Sequence, residues 1–233
     1  MMDIHTLVDK AFKRDRSDPS ALNDAFDSRR LLEPEDFSLA HEKNKEVRRL
    51  SAKYAAERTD MKMFELNKRS LLFDAPYDFD AYLRYVEWNR EPKKRFYLPR
   101  RHYLKKYVDA YQDVLDGKLD FLSISMPKRA GKSQLGINFV NMLSGKFPDK
   151  STLMEGTGDD LVDSFYKGCL EYFQPQSAYL FYDVFPTSKL AQTNADRKTI
   201  NIVSKSRFPT IMSRPIDARQ RRFSRALHHL SLH

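Results

Sequence analysis

The chain has 233 residues, 41% of them hydrophobic, and a formal net charge of +9. That length holds one large domain or two small ones with a real core. No apolar run approaches the ~18 residues of a membrane span, and the opening Met1 to Thr6 has neither the basic nor the apolar region of a secretory signal. Cys169 is the only cysteine, which excludes an intrachain disulfide and a zinc site built from thiolates. A reducing, cytoplasmic setting fits. Six of the nine net positive charges fall between Lys205 and His233, so the rest of the chain is nearly balanced. Such a basic tail either binds phosphate backbones by counterion release or is simply solvated.

In chain order, Ile4, Leu7, Val8, Ala11 and Phe12 fit one face of a helix, which the Ser17–Ser20 cluster breaks. From Ser38 to Leu72 the sequence is highly charged, with Val47, Leu50, Tyr54, Met61 and Phe64 on a narrow apolar stripe. This predicts one long helix or a helical pair. Pro76 ends that region, and Phe79, Leu83 and Val86 mark a short helix with Trp88 near its end. The first 75 residues therefore read as a helical extension, and a second region begins at residue 76. After a basic loop at Pro92–Arg95, the spacing of Leu104, Val108, Tyr111 and Leu115 predicts a helix closed by Gly117.

The densest signal follows. Phe121 to Ser133 reads as a short strand, with Leu122, Ile124 and Met126 alternating, that runs into Gly131-Lys-Ser133. Leu135, Phe139 and Met142 then recur at helical spacing, and Gly145 sits where a helix cap belongs. Strand, loop and helix in that order make a phosphate-binding loop. Backbone N–H groups wrap the anion, Lys132 reaches the β- and γ-phosphates, and the Ser133 hydroxyl ligates Mg²⁺. The positive end of the helix points at the same charge. The match to G-x-x-x-x-G-K-[ST] is incomplete, because Met126 stands at the first glycine. Beyond it, Thr152–Glu155 predicts a strand, Asp159 and Asp160 a helix cap and first turn, and Leu161 to Phe173 a helix. Short β-like runs recur at 200–203 and 210–216. The alternation implies an α/β fold, a P-loop NTPase-type parallel sheet preceded by a helical N-terminal region.

Several ordered pieces between Tyr77 and Asp217 resemble the large terminase subunit of tailed bacteriophages. They are Trp88-Asn-Arg90, Tyr97 to Arg101, Met126 to Ser133, Gly156 to Leu161, Val184 to Pro186 and Ala195 to Arg197. The resemblance covers roughly three-fifths of the chain. It implies an ATPase that pumps double-stranded viral DNA into a procapsid in the cytoplasm of a bacterial host, with a portal ring and a small terminase subunit as partners. It also implies ATP and Mg²⁺ as ligands. Pro127, Ala130, Gly131, Lys132, Ser133 and Gln134 would line the nucleotide, with Ser133 on the metal. Lys128 or Arg129 would act beside Lys132 as a γ-phosphate cation in cis. Arg100 and Arg101 would lie near the adenine.

Such an enzyme also needs an apolar strand ending in acids that hold Mg²⁺ and orient water. Leu180 to Asp183 comes closest but has one acid and comes early. The family's nuclease domain is also missing from the sequence. Residues 218–233 form a basic tail that does not read as a strand and suggests a frame break near Asp217. A Walker B in another frame downstream would support that expectation. An unrelated P-loop NTPase or kinase, or a non-catalytic nucleic-acid or protein-interaction module, are the other readings.

Overall fold

The computed structural model describes residues 3–15, 17–205 and 207–216, and the backbone of 227–231. The chain forms two compact units, dividing between Ala75 and Pro76.

In the first unit, four helices run as α1 (Ile4–Lys13), α2 (Pro19–Arg29), α3 (Phe37–Arg58) and α4 (Met61–Asp74). The long charged stretch is thus a helical pair. Thr59 breaks it by turning left-handed (φ 50°), and Asp60 restarts it by accepting from the Lys62 N–H at 2.8 Å. Asp18 and Asp36 cap α2 and α3 in the same way. Val8, Phe12, Leu22, Val47, Leu50, Met63 and Leu66 make the core. Met61 and Phe64, expected on the apolar stripe, instead face outward (72% and 44% exposed), because the restart at Asp60 rotates α4 out of the phase of α3. Below the core, the Arg29 guanidinium lies between the Phe26 and Phe73 rings, 4.1 and 3.4 Å from their centroids. Burial there lowers its pKa to about 10. Asp74 ties the helices together by taking His41 Nδ1 at 2.6 Å and Arg48 Nη1 at 3.0 Å.

The second unit opens with α5 (Phe79–Val86), α6 (Arg101–Leu115) and α7 (Lys132–Lys146). Their inner faces meet through Phe79, Tyr111 and Phe139, with ring centroids 4.6–5.8 Å apart. Gly117 closes α6 in the left-handed conformation (φ +70°), as the sequence predicts. Gly145 is not a cap. It lies inside α7, where a Cβ would come within 2.2 Å of the Phe185 ring.

The sheet follows α7. Its strands are β1 (Ser151–Gly156), β2 (Leu190–Asn194), β3 (Thr199–Ile202), β4 (Ile211–Pro215) and β5 (Leu227–Ser231), ordered β2-β3-β4-β1-β5. The helix α8 (Asp159–Leu170) covers it and the short α9 (Phe181–Val184) lies between β1 and β2. Gly158, not Asp159, is the N-cap of α8, and Asp159 and Asp160 occupy its first turn. The fold is mixed α/β. β1 runs parallel to β4 and β5, but β2, β3 and β4 pair antiparallel, so the sheet is mixed and not wholly parallel. The short connection from β2 to β3 forces this, because it allows a hairpin and no crossover helix. Leu227–Ser231 pairs with β1 where the tail reading expects no strand. Asp217, near which the frame break is expected, and residues 218–226, 232 and 233 of the tail lie outside the described residues.

The largest departure is at 121–126. This segment alternates between exposed and half-buried positions, as a strand would, and Phe121 is 82% exposed. It is not in the sheet, and its backbone groups have no hydrogen-bond partner among the described residues. Alternation makes a segment able to pair; a strand also needs a neighbour, and β1 has both its edges taken by β4 and β5.

Candidate functional site

The sequence places its densest chemistry at the start of α7, and the backbone there has the shape an anion site needs. A turn from Pro127 closes with the Ala130 N–H on the Pro127 carbonyl at 3.2 Å. Arg129 (φ 63°) and Gly131 (φ +103°) are both left-handed. The chain thus reverses tightly just before the helix, the kind of turn in which an anion nest forms. The first helical bond joins the Leu135 N–H to the Gly131 carbonyl at 2.9 Å, and no side chain caps the helix. The N–H groups of Lys132, Ser133 and Gln134 therefore have no acceptor among the described residues.

Around them stand Lys128 and Arg129, exposed, and Lys132, half-buried. None of the three has a carboxylate partner among the described residues. Some surface cations of this unit are paired, as Lys105 is with Asp109 and Lys118 with Asp116; what sets these three apart is that they fall within five residues of an uncapped helix start. Three unpaired cations beside three open N–H groups attract an anion with several charged oxygens.

The Tyr97–Arg101 segment reaches the same place, through a residue the sequence reading passed over. The tip of the Phe96 ring packs on Gly131, so closely that a Cβ on Gly131 would lie 2.7 Å from Cε2. Glu87, 3% exposed, fixes that ring. Its carboxylate accepts from the Phe96 N–H at 2.8 and 3.0 Å and from the Tyr97 N–H at 2.9 Å, and pairs with Arg90 at 3.3 Å. Arg100 donates to the Phe96 carbonyl at 3.0 Å and sits 5.6 Å from the ring centroid. Arg101 is held elsewhere. Its guanidinium grips Asp80 by two bonds of 2.8 and 3.0 Å, which raises its own pKa. Of the predicted arginine pair, Arg100 stands beside Phe96 and Arg101 closes a buried network with Asp80 and Tyr97. Burial alone would push the Asp80 carboxyl up. Hydrogen bonds from Arg101 and Tyr97 outweigh it and leave the pKa below the ordinary value.

Asp183, the nearest approach to a catalytic acid in the sequence, lies on α9 and takes the Tyr85 hydroxyl at 3.1 Å. Among the described residues, no three His, Cys, Asp or Glu side chains gather in a metal-holding group. For Mg²⁺ the loop offers the Ser133 hydroxyl and, once bound, phosphate oxygens. The donor set thus fits a metal that arrives with its nucleotide.

An open cleft of about 990 Å³ lies away from this loop, between the first turn of α8 and the β2–β3 hairpin. None of the residues from Pro127 to Gln134 lines it. Its acids and bases are interleaved, and Lys198 pairs with Asp163 at 2.6 Å. Size alone favours the cleft as a binding site. The charge arrangement favours the loop, where three cations and no acid lie within Pro127–Gln134 beside open helix N–H groups, and that is the stronger argument for an anion.

No described helix is long and apolar enough to cross a membrane. Compared with protein-family models, curated proteins and solved structures, the chain matches none.

Proposed function

We propose that the segment Pro127–Gln134 binds the phosphates of a nucleoside triphosphate with Mg²⁺, in the manner of the large terminase subunit that the sequence resembles. On this reading the chain belongs to an ATP-dependent motor for viral DNA packaging in the bacterial cytoplasm. Double-stranded DNA, a portal ring and a small terminase subunit would be its partners. The observation that carries the reading is an uncapped helix start preceded by a left-handed Gly131, with Lys128, Arg129 and Lys132, none with a carboxylate partner among the described residues, in the turn and at the first helical position. Lys132 would hold the β/γ-phosphates, and Ser133 would add a hydroxyl to the Mg²⁺ that accompanies them. Lys128 or Arg129 would stand against the γ-phosphate.

The test is Mg²⁺-dependent ATP binding and turnover by the purified chain beside Lys132→Ala. Removing a charged hydrogen-bond partner of a phosphate costs about 2–3 kcal/mol, so affinity should fall about 30- to 150-fold in the variant. ATP binding that is absent, or that is indifferent to Lys132→Ala, sinks the reading and favours a non-catalytic interaction module. Binding with negligible turnover fits a nucleotide site without its acid. Robust Lys132-dependent turnover means that a carboxylate outside the arrangement above supplies the acid.

A further inference from the structure

We infer that Phe96, held by the Glu87 carboxylate, is a positioning residue that sets the shape of the 127–135 loop. The inference rests on the phosphate-loop reading only for what the loop binds. Gly131 has a φ of +103°, a conformation that glycine reaches freely and leaves as freely, so glycine by itself does not hold the loop in it. One face of Gly131 is bounded by Phe96, whose Cε2 and Cζ would stand 2.7 and 2.8 Å from a Cβ there. The ring thus lies directly against the left-handed residue of the loop. Phe96 sits on an irregular segment between two short turns, Pro92–Lys94 and Leu98–Arg100, and no strand or helix fixes it. What fixes it is Glu87, a buried carboxylate that takes the N–H groups of Phe96 and Tyr97 together. Charge-assisted bonds to a buried carboxylate are about twice as strong as neutral ones. Glu87 in turn follows directly on α5, which is packed into the aromatic core. The rigid part of the unit thereby reaches the loop through Glu87, Phe96 and Gly131. A site whose backbone is held in its binding shape avoids the ordering cost at binding.

Two loop amides report on this directly. The Ala130 N–H is bonded to Pro127 and the Leu135 N–H to Gly131, so both open when the loop loses its shape. The experiment measures amide hydrogen exchange and ATP·Mg²⁺ affinity for the full chain, Phe96→Ala, Phe96→Leu and Glu87→Gln. Phe96 is half-buried, so its alanine variant should fold. Phe96→Ala should speed exchange at Ala130 and Leu135 about tenfold, leave amides of α3 and α4 unchanged, and weaken ATP·Mg²⁺ about tenfold. Phe96→Leu, which keeps an apolar contact, should restore most of both effects, and Glu87→Gln should fall between. Unchanged exchange at both amides in Phe96→Ala overturns the inference, whether or not the chain binds ATP. Faster exchange with unaltered ATP affinity overturns the positioning role. Faster exchange in a protein that binds no ATP, in any variant, upholds the prop and sinks the phosphate-loop reading instead.

Discussion

At the level of single residues, the second unit depends on residues whose conformation or charge is set by a neighbour. Gly131 is the clearest. Replacing it with alanine meets two obstacles at once, a φ of +103° and the Phe96 ring 2.7 Å from the new Cβ. Gly131→Ala should therefore lower stability by about 1–3 kcal/mol in urea unfolding and abolish ATP·Mg²⁺ binding. Adding Phe96→Ala would relieve the clash and leave the backbone penalty. Partial recovery of stability without recovery of binding is the expected pattern in the double variant. Equal stability of Gly131→Ala and the parent would show that the loop does not hold this conformation. Asp80 supplies the pH dependence. Its folded pKa is depressed, because bonds from Arg101 and Tyr97 outweigh its burial. Its contribution to stability is thus complete above the ordinary carboxylate value, about 4, and is lost as pH falls through the lower folded value. Asp80→Asn should flatten the acid limb of the plot of melting temperature against pH while lowering stability at neutral pH. An acid limb as steep as the parent's would assign acid unfolding to other carboxylates.

At the level of elements, periodicity reads helices well and strands only in part. The helices over 4–13, 79–86, 101–115 and 132–146 follow from apolar spacing, because each buries one face locally. The caps Asp18, Asp36, Asp60 and Asp78 were legible too, each standing just before its helix, and Asp60 would have settled the choice between one long helix and a pair. Segment 121–126 shows the limit. Leu122, Ile124 and Met126 alternate like β1, yet only β1 has neighbours, and pairing is a property of two segments that neither one's pattern contains. The turn and helix start at 127–134 were legible because glycine and the apolar spacing that follows it act locally. Phe96 and Glu87 were not, since a contact across 35 residues with Gly131 leaves no mark on either sequence neighbourhood. Gly145 was visible as a glycine and misassigned as a cap, because spacing alone cannot tell a helix end from close packing. Gly145→Ala tests the packing. Its Cβ would fall 2.2 Å from the Phe185 ring, which is itself buried, so overpacking should cost about 1–3 kcal/mol in urea unfolding despite alanine's better helix propensity. A neutral or stabilised variant would return Gly145 to the helix end.

At the level of the whole molecule, each unit carries its own core, and the first has the means to fold alone. Its helices close over Leu22, Ala25, Leu32, Ala40, Val47 and Met63, each no more than 1% exposed. The Arg29, Asn44, Ser70 and Asp74 polar groups that cross the interior find partners within the same 75 residues. Asn44 on α3 bridges α2 and α4, accepting from Arg29 Nε at 3.3 Å and donating to the Ser70 carbonyl at 2.9 Å. Helical units of this size with local contacts fold cooperatively when their core is closed. A chain of residues 1–75 should therefore show helical circular dichroism and a single sigmoidal urea transition. Leu22→Ala, which opens a cavity at a position with no exposure at all, should lower its stability by about 2–5 kcal/mol. That loss can exceed what so small a unit has, so the variant could unfold outright. Asn44→Ala, which strands the buried Arg29 guanidinium, should destabilise by about 1–3 kcal/mol. A fragment with helical signal and a broad, non-cooperative transition would mean that the core drawn here is insufficient by itself. A cooperative fragment indifferent to Leu22→Ala would mean that it folds around a different core.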